Sequence, residues 1–170
     1  MIGVDFSSVA IRQAEREAEE FGLSDRTEFR VADMADTGLD DRSVDAVICL
    51  DSIHFAESVD AALRECRRVM RSGAQIVMTA WQFVEQADLA LRSRARHRDL
   101  AVDLEVAGFD QVTVSERRAW AEAERAMWLA ASTVEAGDDS ALQAMRDESY
   151  RVLSAFEMRR RVLATALTPS

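Results

Sequence analysis

Lysine is missing from this sequence: all 21 of its Lys+Arg positions are arginine. A GC-rich codon bias is a sufficient cause. The absence removes every lysine-dependent mechanism, a lysine Schiff base among them. Proline occurs once, at Pro169, and no Gly/Ser/Pro-rich linker divides the chain. Two cysteines, Cys49 and Cys66, are too few for a disulfide framework or a zinc site. Cys49 lies in an apolar run and Cys66 on the apolar face of a helical pattern, so both read as buried, reduced and inert. No apolar run reaches membrane length and the start lacks a secretory pattern, which points to a cytoplasmic protein. Positive charge is scarce as well. The formal net charge of −10 argues against nucleic acid or an anionic membrane as the main partner. Glycine is sparse, with six in all and no pair spaced as G-x-G.

What remains is a globular mix, 48% apolar and 31% charged over 170 residues, enough for one domain with a real core. Residues 1–5 read as a strand. Ser7 or Ser8 caps a helix that runs to Phe21 and stops at Gly22, with Ile11, Ala14, Ala18 and Phe21 on one face. Residues 27–32 form a strand and 33–43 a polar loop. The run VDAVICL at 44–50 is a near-continuous apolar strand, which predicts burial on both faces. A helix over 57–71 aligns Val59, Leu63, Cys66, Val69 and Met70, and a second apolar strand covers 74–80. A helix carrying Leu100, Leu104 and Ala107 ends at Gly108 and leads into a strand over 110–117. Two helices, 121–136 and 139–156, are separated by Gly137-Asp138-Asp139, and a strand over 159–167 closes the chain. Strands alternating with helices imply an α/β fold with a mostly parallel sheet.

In such sheets ligands bind beyond the carboxyl ends of the strands. Asp5 ends the first strand, where a carboxylate can accept both hydroxyls of a ribose or serve as a helix N-terminal charge. Asp33 follows the next strand with Met34 beside it, an acid that can accept from an exocyclic amine next to a side chain that can pack on a purine. A plain loop aspartate is the other reading. Leu50, Asp51, Ser52 and His54 sit where the buried strand opens out. His54 fits a general base, or a structural histidine at a helix start. His97, in RSRARHR, reads as part of a solvated face.

The run GVDFS, then RVADM, then Val44 to Phe55, then RECRRVMRSGAQIVMT resembles the class I S-adenosylmethionine-dependent methyltransferases. It is most similar to the branch that methylates ubiquinone precursors, sterols and natural products. The later GFDQVTVSE and RRRVLATAL resemble that family's last two strands, so the resemblance covers nearly the whole chain. It implies a Rossmann-like sheet sandwiched by helices, with an antiparallel last strand. It also implies one domain over 1–170, with core 1–118 and 157–168 and a helical insertion at about 119–156. S-adenosylmethionine is the implied cofactor. Asp5 is implied at its ribose hydroxyls, Phe6 at the adenine edge, Asp33 and Met34 at the adenine side, and Leu50 and Asp51 beside the methionyl part. The acceptor pocket would draw on Trp81, Gln82, Phe83, Trp120 and Trp128, although plain core is the better reading for Trp128.

The sequence departs from the family at its start. The family's first strand and GxGxG loop would precede Ile2, and that strand would lie between the strands at 1–5 and 44–50. A start assigned too late, at a GTG codon read as Met1, or a true truncation would account for this. The expectation is an N-terminally truncated fold. It would pair 1–5 directly with 44–50, borrow a strand from a second copy as a homodimer, or fold poorly. Arg71-Ser72-Gly73-Ala74 replaces the family's Pro-Gly-Gly turn, a mild change. The expected reaction is methyl transfer to a small-molecule acceptor. A sulfonium methyl is already electrophilic, so few catalytic residues are needed. A non-catalytic domain or partner subunit is the alternative. A nicotinamide-dependent short-chain reductase would need Tyr-x-x-x-Lys, and this chain has only Tyr150 and no lysine.

Overall fold

The computed structural model describes residues 1–84 and 99–170. The chain starts with a small unit: β1 (Ile2–Asp5), α1 (Ser8–Glu20) and β2 (Glu28–Val31). β1 and β2 pair in parallel, from Ile2 opposite Glu28 to Asp5 opposite Val31. Ser7 caps α1 by accepting from the Ala10 amide at 3.3 Å. The helix closes in a Schellman motif, with Leu23 N–H donating to Ala18 O at 2.7 Å and Gly22 N–H to Glu19 O at 3.0 Å. Gly22 adopts φ 65° there, a conformation that costs glycine little. α1 buries only Ile11 and Ala18, and Phe21 is left 75% exposed.

The larger unit holds β3 (Val44–Leu50), α2 (Val59–Val69), β4 (Met70–Phe83), α3 (Leu100–Val106), β5 (Asp110–Glu116), α4 (Arg118–Ser132), α5 (Ser140–Ser154) and β6 (Arg159–Leu167). Its sheet has the order β3-β4-β6-β5. β3 runs parallel to β4, and β6 runs antiparallel to both β4 and β5. β4 begins at Met70, earlier than the expected 74, because Thr168 grips its first turn. Gly73 N–H donates to Thr168 O, and Thr168 exchanges bonds with Ala74 through both backbone and hydroxyl. Ser58, Asp99 and Asp139 cap α2, α3 and α5 through side-chain oxygens. At the end of α3, Gly108 takes φ 87° and a Cβ there would meet Arg67 Nε at 3.2 Å, so the position excludes larger residues.

Alternation along β4 and β6 sends Ile76, Met78 and Ala80 with Val162, Ala164 and Ala166 to one face. There they join Leu63 of α2 and Leu100 and Leu104 of α3 in the core. Each large apolar side chain buried this way stabilises the fold by about 1.5–3 kcal/mol. α4 and α5 pack on each other beyond the sheet, joined by Tyr150 O–H donating to Ser132 O at 3.1 Å.

Among the described residues, hydrogen bonding leaves β1–β2 separate from the four-stranded sheet. The direct pairing of β1 with β3 that the sequence allowed does not form. β3 is therefore an edge strand, and the predicted burial on both faces is not found: Ile48 is 72% and Leu50 60% exposed. Asp51 N–H donates to Thr79 O at 3.1 Å, so strand alternation turns the amides and carbonyls of Ile48 and Leu50 toward the open side.

A polar joint links the units. Glu65 of α2 accepts from Thr37 N–H at 2.9 Å and from the Thr37 hydroxyl at 2.6 Å. Arg68 donates to both Glu65 oxygens, to Leu39 O and to Asp41. The Arg68 bonds, together with those of Thr37 and against the opposing effect of burial, hold the Glu65 carboxyl down at about 2. Met34, Ala35 and Leu39 pack against the core beside this joint.

Candidate functional site

The carboxyl ends of β1, β2 and β3 carry most of the residues singled out by the sequence. Asp5 Oδ1 accepts from Ser7 N–H at 2.7 Å, which places the carboxylate at the amino end of α1 and in the favourable field of its dipole. The helix N-terminal reading of Asp5 is met by this bond, and the carboxylate also sits at a strand end. Phe6 follows, 66% exposed. Asp33 Oδ1 accepts from Ala35 N–H at 2.7 Å, a local loop bond, while Met34 is half-buried against the core.

At the end of β3, Leu50 is largely exposed and Asp51 adopts φ 53°. A non-glycine residue in that left-handed region is uncommon and needs a local cause. One is in view. Both Asp51 oxygens accept from Arg161 of β6, Oδ1 from Nη1 and Oδ2 from Nη2, as a bidentate pair. Burial alone would raise the Asp51 carboxyl; the Arg161 bonds and charge outweigh it and hold it below the usual range. The same pairing raises the Arg161 guanidinium. His54 lies in the short 3₁₀ turn Ile53–Phe55, exposed, with its ring 4.1 Å from that of Phe55, and its charge also favours ionised Asp51. Cys49 Sγ lies 3.2 Å from Ser52 Oγ. Burial raises the thiols of Cys49 and Cys66, the latter to about 12, which keeps both protonated.

A second cluster adjoins the first through Arg161, whose side chain is 11% exposed. Arg161 and Arg159 place their guanidinium carbons 5.7 and 5.5 Å from the centre of the Trp81 ring. Glu124 of α4 accepts from Trp81 Nε1 at 3.1 Å and Trp128 Nε1 at 3.5 Å, and its other oxygen lies 3.8 Å from Arg161 Nε. Phe156 packs edge-on against Trp81. Trp81 and Trp128 thus come together as the sequence suggested. Gln82 does not join them: it points to the opposite sheet face and is 1% exposed. Phe83 is half-buried at the last position of β4, and Trp120 stacks under Arg117, 45% exposed. His97 lies outside the described residues.

Arg161 and Glu124 escaped the sequence reading. The available signal was an arginine on the same strand face as Leu163 and Thr165, opposite Trp81 in register. Such a residue in a half-buried face needs an acid partner.

Residues 1–78 match the methyltransferase domain family. The chain has a methyltransferase fold. Its fold resembles that of solved methyltransferases along 98–99% of the chain. The [4+2]-cyclase SpnF superposes on 99% of this chain with a TM-score of 0.80 at 22% identity. The Haemonchus contortus phosphoethanolamine N-methyltransferase 2, in complex with phosphomonomethylethanolamine and S-adenosylhomocysteine, matches 99% at TM-score 0.75 and 15% identity. A geranyl diphosphate methyltransferase in complex with S-adenosylmethionine matches 98% at TM-score 0.73 and 18% identity. The chain spans 65%, 44% and 67% of these three methyltransferase-fold proteins. No helix among the described residues is long and apolar enough to cross a membrane.

Proposed function

We propose that this fold serves S-adenosylmethionine-dependent methyl transfer to a small-molecule acceptor. The observation that carries the reading is the acid-ended β1, with Asp5 at the head of α1 and Phe6 exposed beside it, within the stretch that matches the methyltransferase domain family. These residues fit the nucleoside half of the cofactor. Asp5 Oδ2 has no protein donor among the described hydrogen bonds and suits a ribose hydroxyl pair, and Phe6 and Met34 offer apolar contact to a purine. Asp33 keeps its second oxygen for an exocyclic amine. Leu50 would line the methionyl part. Asp51 would act there through its backbone, because its carboxylate is held by Arg161.

When bound, the cofactor would supply an electrophilic methyl group. The work of the chain is then to hold the acceptor in line and exclude water. His54, exposed at the mouth of β3, would take a proton from an acceptor hydroxyl or amine. Trp81, Trp128 and Glu124 would form part of the acceptor wall. The reaction is that of a cytoplasmic enzyme with no nucleic acid or membrane partner.

One observation favours a second reading, a methyltransferase-like domain without catalysis of its own or a partner subunit. β1 and β3 share no hydrogen bonds, and the apolar edge of β3 is open. SpnF also shows that the fold is shared by a protein described as a cyclase. Calorimetry with S-adenosylmethionine separates the two. On the first reading, residues 1–170 bind weakly, a strand and glycine loop placed ahead of Ile2 raise the affinity, and Asp5→Ala then lowers it by roughly 1.5–3 kcal/mol. Unchanged affinity in Asp5→Ala removes Asp5 from the site. An extended chain that still fails to bind supports the second reading. In the extended chain His54→Ala should slow turnover roughly 10²–10⁴-fold, and near-normal turnover would leave His54 a structural residue.

A further inference from the structure

We infer that Arg161 is a positioning residue: it fixes the left-handed turn at Asp51 and fastens it to the α4–α5 pair. Four observations converge on it. Asp51 stands at φ 53°, where a side chain other than glycine's is strained unless something holds it. Both of its carboxylate oxygens are bound by the two terminal nitrogens of one guanidinium, a planar fork that fixes direction as well as distance. The third nitrogen of that guanidinium faces Glu124, which in turn takes the indole donors of Trp81 and Trp128. The stem of Arg161 is anchored in the middle of a four-stranded sheet, opposite Trp81, and its side chain is 11% exposed.

The turn at Asp51 sets where Leu50, Ser52 and the backbone between them are presented at the end of β3. Arg161 therefore decides that geometry from a strand far away in sequence. On the methyl-transfer reading, on which this part rests, one guanidinium links the strand end that receives the cofactor to the wall that receives the acceptor. A disturbance on either side is felt on the other.

The test follows amide exchange residue by residue in the ligand-free chain. In Arg161→Met the Asp51 amide, bonded to Thr79 O, should exchange at least tenfold faster. The amides of Ile76 and Met78 should keep their rates. Arg161→Lys should fall between, because an ammonium supplies charge without the fork. Asp51→Gly is the discriminating background. Glycine is at ease at this φ, so its turn should loosen less than in Asp51→Ala, and adding Arg161→Met should change nothing further. An Asp51 amide that ignores Arg161→Met, or a uniform rise at every amide, overturns the assignment. A second arm measures S-adenosylhomocysteine affinity in the chain extended ahead of Ile2 by a strand and glycine loop. Arg161→Met should weaken it about tenfold, and Asp51→Gly should remove that dependence. Exchange that behaves as stated, with no binding by any variant, sustains the role of Arg161 and counts against the methyl-transfer reading alone.

Discussion

The unit β1–α1–β2 and the sheet β3-β4-β6-β5 are built to different standards. The buried cluster that forms the core contains no residue before Ile53. The small unit contributes to it only through the half-buried Met34, Ala35 and Leu39 of its connecting loop. Yet the small unit carries Asp5, Phe6 and Asp33, the residues proposed to meet the nucleoside. Stability is concentrated in one region and recognition in the other. Such an arrangement is common where a binding element must be drawn from the less stable part of a fold.

The sharpest way to break this comparison is in the core. Leu63→Ala, at a fully buried position, should destabilise the chain by about 2–5 kcal/mol in urea unfolding. Ile11→Ala should lower global stability by less, while amides of α1 and β1 lose protection ahead of those in β4. Equal global losses would mean the two units unfold as one. Next in size is the joint. Glu65→Gln should cost about 1–3 kcal/mol by weakening the bonds from Thr37 and Arg68. The pH dependence has a fixed sign. The folded Glu65 carboxyl, at about 2, lies below its ordinary 4.5, so its contribution is present above 4.5 and is lost as pH falls from 4.5 toward 2. Glu65→Gln should flatten that part of the stability profile, and an unchanged profile would remove Glu65 from the joint. The smallest effect is at the open edge. Ile48→Thr should change stability by no more than about 0.5 kcal/mol, because Ile48 is already exposed. A loss above about 2 kcal/mol would show that the edge is covered.

Much of this division was legible in the sequence, and the parts that were not have physical causes. Ser7 and Ser58 as caps and Gly22 and Gly108 as stops follow from local chemistry, and the helices and strands around them fall where expected. The helices at 118–132 and 140–154 begin or end a few residues from their predicted limits, where apolar periodicity alone cannot place an end. Strand 44–50 was right as a strand and wrong as a buried one: composition records what a strand was shaped to touch, and burial depends on what stands next to it. Asp5, Phe6 and Leu50 could be placed at strand ends because that follows from element order. The Asp51–Arg161 pair could not, because its partners lie on β3 and β6 and meet only through the sheet order. The proposed roles of Asp5, Phe6 and Leu50 rest on resemblance, whereas that of Arg161 rests on its contacts within the chain.

The open edge of β3 also bears on how long the molecule lasts in solution. From Ala46 to Leu50 the strand carries no proline and no charge, the two devices that usually keep exposed edges apart. Among the described residues, the amides and carbonyls of Ile48 and Leu50 are unpaired and offer a template to an extended chain, another copy included. Loss by that route is a second-order event. Its rate rises with the square of concentration, and the lifetime it allows falls in inverse proportion to concentration.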